Sequence, residues 1–428
     1  MTAEVVIMNA IGVAMAADSA VTIGTDARKI FTSTDKLFQL SRTDPIGVMA
    51  YNNSTLLGIP WEAIIKQYRA TLRDRSLPSV GDHATSFLRF VEKNSGMFPR
   101  RVQDGHVVQF VAGFLRHFRE DHLRSELDKE ARRQGKLRAT HIRRVADATL
   151  GNFRVTFLAD RKRLVGLGPQ SAARVAARYR RIVRKEFEGA FGTMPVSDAF
   201  RRVLVQLTLS TLTREAFGPS SSGLVFAGFG AQEYLPTVVS YHVDCFVDRK
   251  LRVSRPERTR IEQLGTSSSI IPFAQREVVD TFMAGVDRRL KEKFGDEAER
   301  AIRKISDALV DAVQKVSPSI AAKMRLVLRG GVPRVVDAMN HRWDRFSSTY
   351  WRPITEIVAT LPKDELAAMA EALVNLTKFK RRITPQKETV GGPIDVAVIT
   401  RGDGFVWIKR KHYFDPALNP RAVSRISV

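Results

Sequence analysis

Apolar residues along this chain change their spacing in blocks, and that segregation constrains the fold more than any single motif. The first block reads as strands. Ala3 to Asn9 and Gly12 to Ala17 are largely apolar runs separated by Ala10-Ile11. Asp35 to Leu40 alternates, with Leu37 and Gln39 pointing one way and Lys36, Phe38 and Leu40 the other. Ile46 to Tyr51 is another apolar run, entered through the turn-forming Asp44-Pro45. Four strands joined by tight turns predict an antiparallel sheet. Helical spacing follows: Trp61, Ile64, Ile65, Tyr68 and Leu72 after Pro60, then Phe87, Leu88, Phe90 and Val91.

From about residue 110 to 215 the chain is basic and mostly helical in spacing, with pairs such as Arg132-Arg133, Arg143-Arg144, Arg180-Arg181 and Arg184-Lys185. Phe153 to Leu158 reads as a strand inside this stretch. Strands return at Leu224 to Phe229, Val238 to Val243 and Leu251 to Ser254. A second helical region spans about Phe273 to Lys380, divided by Pro318, Gly330-Gly331, Pro333 and Pro353. Two closing strands, Ile394 to Thr400 and Phe405 to Lys409, are joined by the turn Arg401-Gly402-Asp403-Gly404. Segregated strands and helices predict an α+β fold with layered sheets.

Composition narrows the function classes. The single cysteine, Cys245, excludes an internal disulfide framework and a cysteine-rich metal site, and agrees with a reducing compartment. His117 and His122 lack a third ligand nearby, and no phosphate-binding loop is present, so neither metal nor cofactor is expected. Val5 to Ala17 does not read as a signal peptide: Glu4, not a basic residue, precedes it and Asn9 interrupts it. No apolar run approaches the ~20 residues of a membrane span. A cytoplasmic protein is expected. The net charge of +24 favours nucleic acid, anionic membrane or acidic protein as partner, or is a solvated basic surface.

Three ordered pieces at the start carry a resemblance. Thr2 opens a strand directly after Met1. Ala16-Ala17-Asp18-Ser19-Ala20-Val21-Thr22 follows, then Lys36-Leu37-Phe38-Gln39-Leu40 with Ile46-Gly47-Val48-Met49-Ala50. Val225 to Phe229, Gly265-Thr266-Ser267 and Gly391-Gly392-Pro393 through Thr400 come later in the same order. Together they resemble the proteasome β subunit and its bacterial heat-shock peptidase relative, over about half of the chain. The resemblance implies an αββα sandwich of the N-terminal-nucleophile hydrolase type; the two helical regions have no counterpart in it and are read from their spacing as two large helical insertions. The chain is then expected to divide into 2–110 (core), 111–220 (basic helical insertion), 221–280 (middle strands), 281–360 (second insertion) and 361–428 (end of the core).

The resemblance also implies a chemistry. A threonine hydroxyl is a poor nucleophile, but at a chain start the α-amine, with a pKa of about 7.7–8.0, is an adjacent base. That requires removal of Met1. Lys36 would lower the amine's pKa, and Asp18 would hold Lys36; the bland alternative is a surface salt bridge. Thr266 matches the family's supporting serine, with Ser267 and Ser268 beside it. Met49 lies in the substrate-binding strand. Tyr51 stands where the family has a glycine whose amide binds the oxyanion; its N–H survives, but the ring narrows the approach. Lys387, Glu388, Thr389 and Val390 replace the acidic and serine positions before Gly391, with Glu388 one residue out of step. The implied function is a threonine-type peptidase, homo-oligomeric, acting on peptide or protein and served by a separate ATPase. The alternative is a catalytically silent scaffold on the same fold that binds nucleic acid through its basic insertion.

Overall fold

The structure, a computed structural model, describes residues 2–23, 29–31, 34–384 and 390–421. The chain opens with β1 (Ala3–Asn9) and β2 (Gly12–Asp18). Asn9 closes the turn between them: its Oδ1 accepts the N–H groups of Ile11 and Gly12 at 2.9 and 3.3 Å. The short β3 (Val21–Ile23) and β4 (Lys29–Phe31) follow, then β5 (Leu37–Gln39), β6 (Ile46–Asn52), β7 (Thr55–Leu56) and β8 (Ile59–Pro60). Helices come next: α1 (Trp61–Leu72), α2 (Val80–Lys93), α3 (Arg100–His117), α4 (Arg124–Gln134), α5 (Ala139–Asp160), α6 (Pro169–Phe191) and α7 (Asp198–Thr211). The second strand block holds β9 (Ser222–Gly228), β10 (Thr237–Val247), β11 (Lys250–Val253), β12 (Glu257–Arg260) and β13 (Ser268–Ala274). The helices α8 (Glu277–Ala284), α9 (Arg288–Gln314), α10 (Pro318–Val358) and α11 (Lys363–Ile383) precede β14 (Ile394–Thr400) and β15 (Gly404–Lys409).

The fold is α+β with two large antiparallel sheets, and the chain divides into two compact units. Unit 1 comprises Met1–Thr34 and Arg260–Ser427. Its sheet runs β13-β1-β2-β14-β15. Val5, Ile7, Ala14, Ala16, Val396 and Val398 bury one face against Leu366, Ala370, Leu373 and Val374 of α11. Ala14 and Ala16 of β2 leave room for that helix to lie close to the sheet.

Unit 2 comprises Asp35–Thr259. Its sheet runs β11-β10-β9-β6-β5, with β12 also on β10. Ile46, Val48, Ala50, Leu224 and Phe226 alternate onto one face and pack on Trp61, Ile64, Ile65, Phe87 and Val91 of α1 and α2. The basic helices have a separate core around Phe118, Phe187, Phe191 and Phe200, which also takes in Cys245 and Val247 of β10. Such a cluster lets a heavily charged stretch fold, because each helix commits one stripe inward and leaves its charges outside.

Four readings are corrected. The first four predicted strands fall into two sheets, β1 and β2 in one and β5 and β6 in the other. Phe153 to Leu158 lies inside α5; the rings of Phe153 and Phe157 lie side by side with centroids 5.6 Å apart, as i and i+4 residues do on a helix. The stretch from Phe273 begins as the end of β13, and its helices start at Glu277. Gly330-Gly331, Pro333 and Pro353 do not divide α10, which runs 41 residues. Both prolines sit on its exposed side, where water can satisfy the carbonyl each leaves without a partner. Among the described residues, no helix is long and apolar enough to cross a membrane.

Candidate functional site

In unit 1, strand register assembles a polar cluster at the start of β1. Glu4 pairs with Ala17, so Ala3 comes opposite Asp18. The Ala3 N–H donates to Asp18 Oδ1 at 3.1 Å. Asp18 Oδ2 accepts from the amides of Ala20 and Gly391 at 3.2 and 3.0 Å. The carboxylate is only 1% exposed, and three backbone donors offset its lost hydration. Ser19 completes the junction: its N–H donates to the Gly391 carbonyl at 3.2 Å and its Oγ to the Pro393 carbonyl at 2.6 Å. The Ala-Ala-Asp-Ser turn and the Gly-Gly segment are 373 residues apart in sequence and joined here.

Thr2 is buried beside this junction. Its carbonyl accepts the Gln275 N–H at 3.2 Å, just past the end of β13. Gln275 in turn takes a hydrogen bond from Arg381 Nε, while Arg381 Nη2 reaches Glu277 Oε2 at 2.9 Å. The sequence reading missed this set. Arg381 belongs to the basic run Lys378 to Arg382, which looks like a solvated helix end, yet Arg381 is buried. Lys378 of the same run donates to the Gly392 carbonyl at 3.0 Å. Only the position of α11 against β1 and β2 distinguishes these two from their neighbours.

Thr266 is not part of the cluster, which corrects its assignment as the supporting hydroxyl. β13 pairs Ala3 with Ala274 and Asn9 with Ser268. Thr266 therefore lies past the Asn9 end of β1 and Thr2 before the Ala3 end, with the seven residue steps from Thr2 to Asn9 alone spanning about 23 Å at strand rise. Thr266 and Ser267 are exposed, and Ser268 spends its hydroxyl on the Thr355 carbonyl at 2.6 Å. Met1, Lys387, Glu388 and Thr389 lie outside the described residues.

Unit 2 holds the remaining candidates. Lys36 is 3% exposed, which removes the surface reading of this residue. Its carbonyl accepts the Ala50 N–H at 2.9 Å and so fixes the entry to β5. Met49 pairs with Leu37 on one side and Val225 on the other. By period two, Met49 and Tyr51 share the face of β6 opposite Ile46, Val48 and Ala50. The Tyr51 ring lies over Gly223 of β9: a Cβ on that glycine would stand 1.9 Å from Tyr51 Cζ. His242 meets the ring edge-on at 6.0 Å, and burial lowers the pKa of this histidine. His117 and His122 sit with ring centroids 5.1 Å apart, and exposed His117 bonds to Asp121 at 2.5 Å.

No family model matches the chain, and no curated protein matches it. Among solved structures the chain is similar to an Anbu (Gly-1) mutant from Hyphomicrobium sp. strain MC1, at 11% identity, 99% coverage of this chain, 94% of that one and a TM-score of 0.30. It is likewise similar to Anbu (ancestral beta-subunit) from Yersinia bercovieri, at 10% identity, 99% and 96% coverage and a TM-score of 0.28. Likeness this low carries no argument about chemistry, which rests on the residues themselves.

Proposed function

We propose that this chain is a threonine-type N-terminal-nucleophile hydrolase of peptide bonds on a proteasome-like αββα scaffold, with Thr2 as nucleophile once Met1 is removed. The observation that carries this reading is Asp18. Its buried carboxylate braces the amide directly after Thr2 and the amide of Gly391, so the start of β1 is held by a built polar junction.

In the proposed reaction the freed α-amine takes the proton from the Thr2 hydroxyl as its Oγ attacks the scissile carbonyl. The ammonium so formed protonates the departing amine, leaving an ester on Thr2. Water, deprotonated by the same amine, then hydrolyses that ester. The roles given to Lys36, lowering the amine's pKa, and to the Tyr51 amide, binding the oxyanion, come from the resemblance alone. Homo-oligomeric assembly and a separate ATPase belong to the same proposal.

A second reading keeps the scaffold and silences the site, leaving the basic helices to bind nucleic acid. The Tyr51 ring over Gly223 favours it by filling space on the substrate strand. The deciding experiment is turnover of fluorogenic peptides by the purified chain and by Thr2→Ala. Turnover lost in the variant supports the first reading. Equal turnover in both excludes Thr2.

A further inference from the structure

A second group of chemically capable side chains lies in unit 2, outside the hydrolytic proposal. Consecutive residues of a regular strand point to opposite faces. β10 breaks that rule at one place. Val243 pairs with Val253 and Phe246 with Leu251, so Asp244 and Cys245 together face Arg252 alone across a β-bulge. Both side chains can therefore serve one site. α3 brings His106 to the same place, and one donor atom each of His106, Asp244 and Cys245 lies within 4.8 Å of the others. Asp244 and Cys245 are buried, and His106 Nε2 is buried without a hydrogen-bond partner.

We infer that His106, Asp244 and Cys245 bind a divalent transition-metal ion of the zinc class, tying α3 to the bulge of β10. One nitrogen, one oxygen and one sulfur donor suit zinc or cobalt, and the thiolate disfavours magnesium and calcium. Three protein ligands leave a tetrahedral ion one further position.

Arg252 is the obvious objection, since a cation beside a metal is repulsive. Its buried guanidinium donates to Asp244 and to the carbonyls of Thr211, Arg214 and Ala216 at 3.2, 3.3 and 2.7 Å. It also lies over the rings of Phe110 and Phe217 at 4.7 and 5.4 Å. Asp244 does not have to release it. Oδ1 accepts the Cys245 N–H at 2.6 Å and Oδ2 accepts Arg252, and each carboxylate oxygen keeps a further lone pair. A ligand carboxylate held by an outer hydrogen bond is the usual arrangement. Thiolate, carboxylate, guanidinium and a divalent ion sum to one positive charge, so the fourth ligand is an anion such as hydroxide.

The test uses the full chain, stripped of metal by a chelator and titrated with Co2+. Cys245 is the only cysteine in the sequence, so thiolate-to-cobalt charge-transfer absorption has no other source. The proposal predicts that absorption with saturation at one equivalent, displacement by Zn2+, and an undiminished signal in Thr2→Ala. Cys245→Ser should abolish it. His106→Gln keeps the thiol and should weaken cobalt affinity at least tenfold, which covers the case in which Cys245→Ser fails to fold. Cobalt binding without charge transfer, or affinity in His106→Gln within twofold of the parent, overturns the proposal.

Discussion

Asp18 and Lys36 are the two charged residues on which the hydrolytic account turns, and substitution separates their roles. Asp18→Asn keeps one acceptor oxygen where two now take three amides. We expect a stability loss of ~1–3 kcal/mol, the cost of orphaning a buried donor, together with impaired turnover, read by denaturant melts and peptide assay on the same preparation. Lys36→Arg keeps the charge but not a compact ammonium, and Lys36→Met removes it. Each should lower turnover on the order of 10²-fold or more, the scale of a positioned acid–base group. A lower melting temperature with normal turnover would make Lys36 structural only. Sequence motifs singled out Asp18 as the partner of Lys36, but its bonds to the amides of Ala3, Ala20 and Gly391 were not legible, because they come from strand register and from a segment 373 residues away. Thr266 was misplaced because a run of hydroxyl residues carries no register, and the strand that follows it, β13, has no counterpart in the sequence reading before Phe273, where the helical region is expected to begin.

Among the elements, β6 and α6 make opposite demands on their neighbours. The Tyr51 ring occupies the space over Gly223. Gly223→Ala should therefore destabilise the chain by ~1–3 kcal/mol, as overpacking does, and Tyr51→Ala in the same chain should recover much of that loss; additive losses in a double-mutant cycle would contradict it. α6 buries Val175, Tyr179, Val183, Phe187 and Phe191 and leaves Arg180, Arg181, Arg184 and Lys185 exposed. If the basic helices bind nucleic acid, reversing those four charges should weaken binding to all sequences alike and flatten its salt dependence. No binding at low salt in the parent leaves α6 a solvated face. The strands β3, β4, β7, β8, β12 and β13 were not readable, whereas β1, β2, β5, β6, β9, β10, β11, β14 and β15 were readable to within a few residues, because buried strands are short apolar runs between turn residues. The course of α10 was not, because prolines on an exposed helix face cost little that sequence reveals, and the partner helix α9 holds the helix together.

At the scale of the whole molecule, pH offers a test of how unit 2 is held. His83 is buried and bonds to Asp44 at 2.7 Å, beside Asp82 and Glu233. Burial outweighs these acids and lowers its pKa below the ordinary 6.5. The unfolded chain then binds the proton more readily than the folded one. Stability is complete above about pH 6.5 and falls as pH drops through the lower folded value. Melting temperature should decline from pH 7.5 to 5, and His83→Gln should reduce that decline. An equal decline in the variant would remove His83 from the account. The α+β class was legible from the order of blocks. The partition of the opening strands between two sheets was not, since alternation records which residues are buried and not which strand lies alongside.

The central claim is that Thr2 becomes a chain terminus and attacks carbonyl carbon. The direct measurement is intact-mass and peptide mapping of the purified chain before and after a threonine-directed electrophile. The account predicts a chain beginning at Thr2, one adduct per chain, and that adduct on Thr2. Retained Met1, or a processed chain whose Thr2 takes no adduct, would contradict it.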